Sequence, residues 1–147
     1  MFGIGRGDKT LRIRQATLED LPRIVDIGAK AFPYIREPQN FFLDRLRNFW
    51  VFVAEVDGHV LGFVDVEVKR DEAKIAGIAV DEAERGRGIG SALMSFALEF
   101  LKKLGISRVT LLARASNEPA IKMYRKFGFL QGKHIRDDVY EWYKVLR

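Results

Sequence analysis

Ile78-Ala79-Val80-Asp81-Glu82-Ala83-Glu84-Arg85-Gly86-Arg87-Gly88-Ile89-Gly90-Ser91 is the stretch from which the rest of the chain can be read. A short apolar run reads as a strand, a basic glycine-rich turn follows, and from Ile89 the apolar residues recur at helical spacing. Strand, turn and helix start in that order make an anion cradle. The first N–H groups of a helix have no intrahelical acceptor, and glycines let a phosphate come close to the backbone. The segment does not end in the Lys-Ser/Thr of a nucleotide-triphosphate loop, and it is not G-x-G-x-x-G. What it spells, from Arg85 to Gly90, is R-x-x-G-x-G.

That pattern resembles the coenzyme A pyrophosphate loop of the GNAT superfamily of N-acetyltransferases. Two more landmarks carry the resemblance. Ile78-Ala79-Val80 looks like the family's fourth strand, whose backbone pairs with the pantetheine arm. Arg114-Ala115-Ser116-Asn117 through Ala120, Tyr124 and Gly128-Phe129 is similar to the family's N-x-x-A-x-x-x-Y-x-x-x-G-F signature, in register. The resemblance implies an α/β (α+β) fold: a mixed, mostly antiparallel seven-stranded sheet flanked by four helices, with a splayed parallel pair at strands 4 and 5.

The remaining sequence supports one domain over 11–147. At 147 residues with 48% hydrophobic content, the chain can bury one ordinary core. Residues 1–10 carry three glycines and no apolar periodicity, and read as a flexible leader; Gly3-Ile4-Gly5-Arg6-Gly7 within it is a decoy, because no strand precedes it. Leu11 to Gln15 alternates as a strand. Thr17 and Asp20 start a helix whose apolar stripe runs Leu18, Leu21, Ile24, Val25, Ile27, Gly28 and on to Phe32, where Pro33 stops it. Phe41, Phe42, Leu43, Leu46, Phe49 and Trp50 imply a second helix. Val51–Val56 and Val60–Val68 flank Asp57-Gly58, a strong hairpin signal that places His59 at an exposed turn. Ala73 to Val80 is a strand in which Gly77 marks a bulge or a close approach. The apolar positions from Ile89 to Leu104 give a third helix, which Gly105 ends. Arg108 to Leu112 is a strand, joined to the preceding one by a right-handed crossover. Asn117 caps a fourth helix, Gly128 ends it, and Leu130–His134 with Val139–Leu146 close the sheet as a hairpin.

Composition narrows the chemistry. Without cysteine there is no disulfide, thiolate metal site or cysteine nucleophile, and two histidines, His59 and His134, do not make a metal centre, so no metal is expected. The formal charge of +5 raises nucleic-acid binding as a reading, but the basic residues are scattered among acids, and a three-phosphate coenzyme is a sufficient anionic partner. No apolar run is long enough to cross a membrane, and the N-terminus lacks the apolar core of a signal peptide, so a cytoplasmic protein without nucleic-acid or membrane partners is expected, as monomer or homodimer.

The resemblance also implies roles. The cosubstrate is acetyl-CoA, held by Ile78, Ala79 and Val80 on the strand, by Arg85, Gly86, Arg87, Gly88, Ile89, Gly90 and Ser91 in the loop, and by Asn117 and Tyr124. Tyr124 is the catalytic acid that protonates the leaving thiolate, and strand N–H groups near Ile78 polarise the thioester carbonyl. Ribosomal-protein N-terminal acetyltransferases look closest within the family, and they place a catalytic glutamate five residues before the asparagine. Here that residue is Leu112. Substitute carboxylates are Asp65, Glu67, Glu72 and Glu141, and the sequence does not choose among them. The acceptor is a primary amine: a protein N-terminus, a lysine or a small amine. Phe32-Pro33-Tyr34, Phe41-Phe42, Trp50 and Tyr140-Glu141-Trp142-Tyr143 are candidates for walling its groove. The alternative is a coenzyme A-binding sensor with little transferase activity.

Overall fold

The computed structural model describes residues 2–3 and 10–147. Its strands are β1 (Phe2–Gly3), β2 (Thr10–Gln15), β3 (Trp50–Val56), β4 (His59–Lys69), β5 (Glu72–Val80), β6 (Arg108–Arg114), β7 (Leu130–Arg136) and β8 (Val139–Val145). Its helices are α1 (Leu21–Ala31), α2 (Pro38–Asn48), α3 (Ile89–Lys103) and α4 (Glu118–Lys126). The strand order is β1-β2-β3-β4-β5-β6-β8-β7. Every pairing is antiparallel except β5 with β6. The seven expected strands are β2 to β8. Two-residue β1 pairs with Thr10 and Leu11, so the expected strands 4 and 5 are β5 and β6. Apart from β1 and Thr10, the leader and its glycine decoy lie outside the described residues.

Alternation along β3 and β4 builds two cores, one on each face. Val51, Val53 and Phe63 pack under α1 and α2 with Ile24, Ile27 and Phe42. Phe52, Ala54, Val64 and Val66 pack under α3 and α4 with Leu93, Ala97, Tyr124 and Trp142. Buried on both faces, β3 reads as the unbroken apolar run Val51-Phe52-Val53-Ala54. The β3–β4 hairpin turns through Asp57 (φ 51°) and Gly58 (φ 77°), two successive left-handed residues of the kind this turn demands. Where α1 crosses α2, a Cβ on Gly28 would stand 2.4 Å from the Phe42 ring. That contact explains a glycine in the middle of an apolar stripe.

Two expectations need correction. The second helix ends at Asn48, and Trp50 opens β3 opposite Val66, with its ring packed on Phe52 and Phe100. A run of aromatics cannot reveal where period 3.6 gives way to period 2 when both elements are apolar. Leu18 is 58% exposed in a short 3-10 turn before α1, so the stripe begins at Leu21.

Candidate active site

The sheet forks where the loop begins. β5 and β6 are paired from Glu72↔Arg108 to Ile75↔Leu111, and no further, although β5 runs on to Val80 and β6 to Arg114. The irregularity that starts the divergence lies one residue on. The β4–β5 register shifts between Asp65 and Val66, leaving Ala76 without an opposite number before Gly77. Gly77 also takes a close approach, as a Cβ there would meet the Phe32 ring at 3.3 Å. Beyond the fork, Ile78 and Val80 pack toward the α3/α4 core while Ala79 is buried against α1.

Past Val80 the chain is anchored before it turns. The Asp81 N–H donates to the Leu61 carbonyl at 2.8 Å, and the Asp81 carboxylate accepts from the Ala83 N–H at 3.0 Å. Arg23 of α1 ion-pairs with Asp81 and also donates to the Val60 carbonyl at 2.9 Å, tying helix, hairpin and loop together. The Arg23 guanidinium holds the Asp81 carboxyl below the usual carboxylate range. Gly86 and Gly88 both take left-handed backbone, φ 80° and 82°. Neither has an atom within 4 Å of where a Cβ would stand, so what these positions require is conformation rather than space. The first ladder bond of α3 runs from the Ala92 N–H to the Gly88 carbonyl at 3.0 Å. The N–H groups of Ile89, Gly90 and Ser91 therefore start the helix without intrahelical acceptors. Arg85 and Arg87 are exposed, and Arg87 has only a loose contact with Glu84 at 3.7 Å.

α4 flanks this helix start. A Cβ on Gly90 would lie 3.8 Å from the Met123 sulfur, and Tyr124 is 8% exposed, edge-on to Phe129 with ring centroids 6.1 Å apart. Burial raises the Tyr124 pKa, so the phenol keeps its proton at neutral pH. Its hydroxyl has no hydrogen-bond partner among the described residues. The segment before α4 is braced by the closing hairpin. Asp138 accepts from the Ser116 hydroxyl and from Arg114, each at 2.7 Å, and from the Ser116 N–H at 3.2 Å, which draws its own pKa down to about 2. Asn117 is exposed and caps α4, its side-chain oxygen accepting from the Ala120 N–H at 3.4 Å.

The structure separates the four substitute carboxylates. Asp65 is 3% exposed and locked in a two-pronged pair with Arg45, at 2.6 and 3.0 Å, and Glu67 takes the same guanidinium at 2.6 Å. Burial pushes the Asp65 pKa up and the Arg45 pairing opposes it. Glu72 lies at the far end of the paired stretch, 3.5 Å from Arg108. Glu141 stands directly across from Leu112, the first β6 residue past the fork.

The aromatic wall is smaller than expected. Phe42 and Trp142 are core residues, and Trp50 packs toward α3, so none of the three lines a groove. Phe32, Tyr34, Phe41, Tyr140 and Tyr143 remain, Tyr34 being 79% and Phe41 42% exposed. Sequence reading missed the Arg23–Asp81 clamp and the Arg45 cluster, because an ion pair spanning 58 positions leaves no local pattern.

The acetyltransferase (GNAT) family model matches residues 13–129. An N-alpha-acetyltransferase of Sulfurisphaera tokodaii is 33% identical over 150 aligned positions, which cover 92% of this chain and 89% of that protein. The crystal structure of the ribosomal-protein-S18-alanine N-acetyltransferase from Escherichia coli superposes with a TM-score of 0.84 at 25% identity, covering 93% of this chain and 94% of that one. The PaiA N-acetyltransferase of Thermoplasma acidophilum, solved in complex with coenzyme A, shares the fold: TM-score 0.81, 17% identity, 92% of this chain and 99% of that one. With its forked parallel pair, its glycine-rich helix start and its flanking tyrosine, the chain belongs to the GNAT family of acetyltransferases.

Proposed function

We propose that the protein transfers the acetyl group of acetyl-CoA to the α-amine of a protein N-terminus, with lysine and small amines as lesser acceptors. One observation carries this reading. The sheet opens at Ile75↔Leu111, where α3 presents unpaired N–H groups and α4 presents a buried, protonated phenol. The N–H groups of Gly86 through Ser91, helped by the charges of Arg85 and Arg87, suit the pyrophosphate. The unpaired edge of β5 at Ile78, Ala79 and Val80 suits the amide groups of the pantetheine arm, as an added strand would. Asn117, exposed at the mouth of the fork, supplies a further amide. Acetyl-CoA brings the activated acyl group, and Tyr124 holds the proton that the departing sulfur needs.

The N-terminal acceptor is supported by what the relatives are named for, since one is a ribosomal-protein-S18-alanine N-acetyltransferase and another is an N-alpha-acetyltransferase. Because the named relatives are transferases, the sensor alternative is not favoured. All the groups invoked come from one chain, so a monomer suffices, without metal or nucleic acid. No described helix is long and apolar enough to cross a membrane, in keeping with work in the cytoplasm.

The test is incubation with acetyl-CoA and a panel of peptides bearing a free N-terminus, a blocked N-terminus with one lysine, or neither, read by mass spectrometry. Acetylation confined mainly to free N-termini supports the reading. No acetylation of any amine refutes it.

A further inference from the structure

Leu112 leaves the site without an obvious group to take a proton from the incoming amine, and the register of the last strand supplies one. Leu111 and Trp142 are paired, buried, and part of the core beneath α3 and α4. By alternation their neighbours Leu112 and Glu141, also paired, point to the opposite face. The glycine-rich loop and α4 bound the fork on the first face. Among the described residues the helix-covered cluster on the second face holds none from β6 or β8, and Leu112 is 41% exposed there. We propose that Glu141 is the catalytic base of this enzyme, its carboxylate carried one strand over from position 112. This rests on the acetyltransferase reading above.

Geometry and partners set Glu141 apart. Directly opposed Cβ atoms in antiparallel strands are about 4.5–5.5 Å apart, so a carboxylate on Glu141 covers the same spot as one on residue 112, directly or through one water. Asp65 and Glu67 are spent on Arg45, and Glu72 is at the wrong end of the paired stretch. The charged neighbours of Glu141 come from three strands. Arg108 of β6 lies 3.8 Å away, too far for a hydrogen bond, and divides its charge with Glu72 of β5 at 3.5 Å. Lys74 of β5 and Tyr143 of β8 share the face, and Tyr143 lies under the Arg108 guanidinium. Lys133 of β7 falls in the irregular stretch opposite Glu141, while His134 turns its ring to Tyr140 on the other side. The backbone is held from that side too, since a Cβ on Gly132 would stand 2.9 Å from the Glu141 carbonyl.

The step balances. The acceptor arrives as an ammonium and gives one proton to Glu141, which passes it to water. The freed nitrogen lone pair forms the C–N bond to the acetyl carbon as the C–S bond breaks. The sulfur takes the phenolic proton of Tyr124, and the second nitrogen proton leaves by the Glu141 route to restore the phenol. One proton per acetyl group reaches the solvent.

The experiment compares wild-type, Glu141→Gln and Glu141→His protein by the pH dependence of kcat at saturating acetyl-CoA and free-N-terminus peptide. Acetyl-CoA affinity by calorimetry and the thermal midpoint serve as controls that a base should not move. Glu141→Gln is expected to lower kcat about 10²-fold and to move its acid fall up toward the α-amino value of about 7.7–8.0, because only acceptor bound as free amine then reacts. Glu141→His is expected to move that fall toward the imidazole value of about 6.5; it decides the question alone if the glutamine variant does not fold. An acid limb unmoved in the folded variants overturns the assignment, whatever happens to the absolute rate. A wild-type protein that acetylates no amine overturns the acetyltransferase reading itself, whereas an active wild type with unmoved variants overturns only Glu141.

Discussion

Replacing Gly88 with alanine separates the backbone of the loop from its charge. Gly88 sits at φ 82°, ψ 9°, and its Cβ position is open, so a methyl group costs conformation and nothing else. An L-residue in the left-handed region costs roughly 1–2 kcal/mol. Relaxing Gly88 also moves the carbonyl that accepts the first ladder bond of α3, and with it the three unpaired N–H groups. If that cost falls on coenzyme binding, the Kd for coenzyme A rises about 5- to 30-fold at 1.4 kcal/mol per tenfold. Arg87→Ala removes an exposed charge whose nearest partner, Glu84, is 3.7 Å away. Exposed charges contribute at most about 1 kcal/mol, a change of about fivefold or less. Calorimetric titration of both variants at one fixed ionic strength compares them, since salt screens the arginine and not the backbone. Arg87→Ala weakening binding as much as Gly88→Ala would refute the assignment of the grip to the main chain.

Other outcomes follow from the same geometry. Gly28→Ala forces a methyl to within 2.4 Å of a buried ring, so overpacking of about 1–3 kcal/mol outweighs a helix-propensity gain of at most about 1 kcal/mol; urea denaturation should show a net loss, and a variant as stable as wild type contradicts the packing. Tyr124→Phe should lower single-turnover acetyl transfer about 10²-fold with acetyl-CoA affinity little changed, and an unaltered chemical step removes the phenol from the mechanism. The Asp138 carboxyl should titrate near 2, with Ser116→Ala raising it more than Arg114→Ala because the hydroxyl is the larger cause. Carbon-detected NMR across an acid titration reads both shifts. A carboxyl lowered by folding contributes stability that is present above its unfolded pKa and is lost as pH falls through about 2, so these variants should flatten that acid loss.

What the sequence disclosed depended on whether the information was local. The loop from Arg85 to Gly90 is legible because helix start, left-handed glycines and flanking strand are consecutive, and each residue type has one physical use there. The Asp57-Gly58 turn and the capping by Asn117 are legible for the same reason. Trp50 is not legible as a strand residue because helix and strand periodicities overlap in an apolar run, and Leu18 reads as helical because a stripe does not show where the helix begins. The fork itself is legible only through the family resemblance, with Gly77 as its trace in the chain. What locates Glu141 is the β6–β8 register, which joins positions 112 and 141 and exists only in the folded sheet. Arg23 reads as an ordinary polar residue on a helix until Asp81 is brought beside it.

The proposed function requires that main-chain amides at the start of α3 grip the coenzyme diphosphate. Amide NMR spectra of the full chain, recorded as coenzyme A is added, test it directly. The largest shifts should fall on the N–H groups of Gly86 through Ser91, with smaller ones along Ile78 to Val80. Binding that leaves the loop amides in place and shifts another surface instead would contradict it.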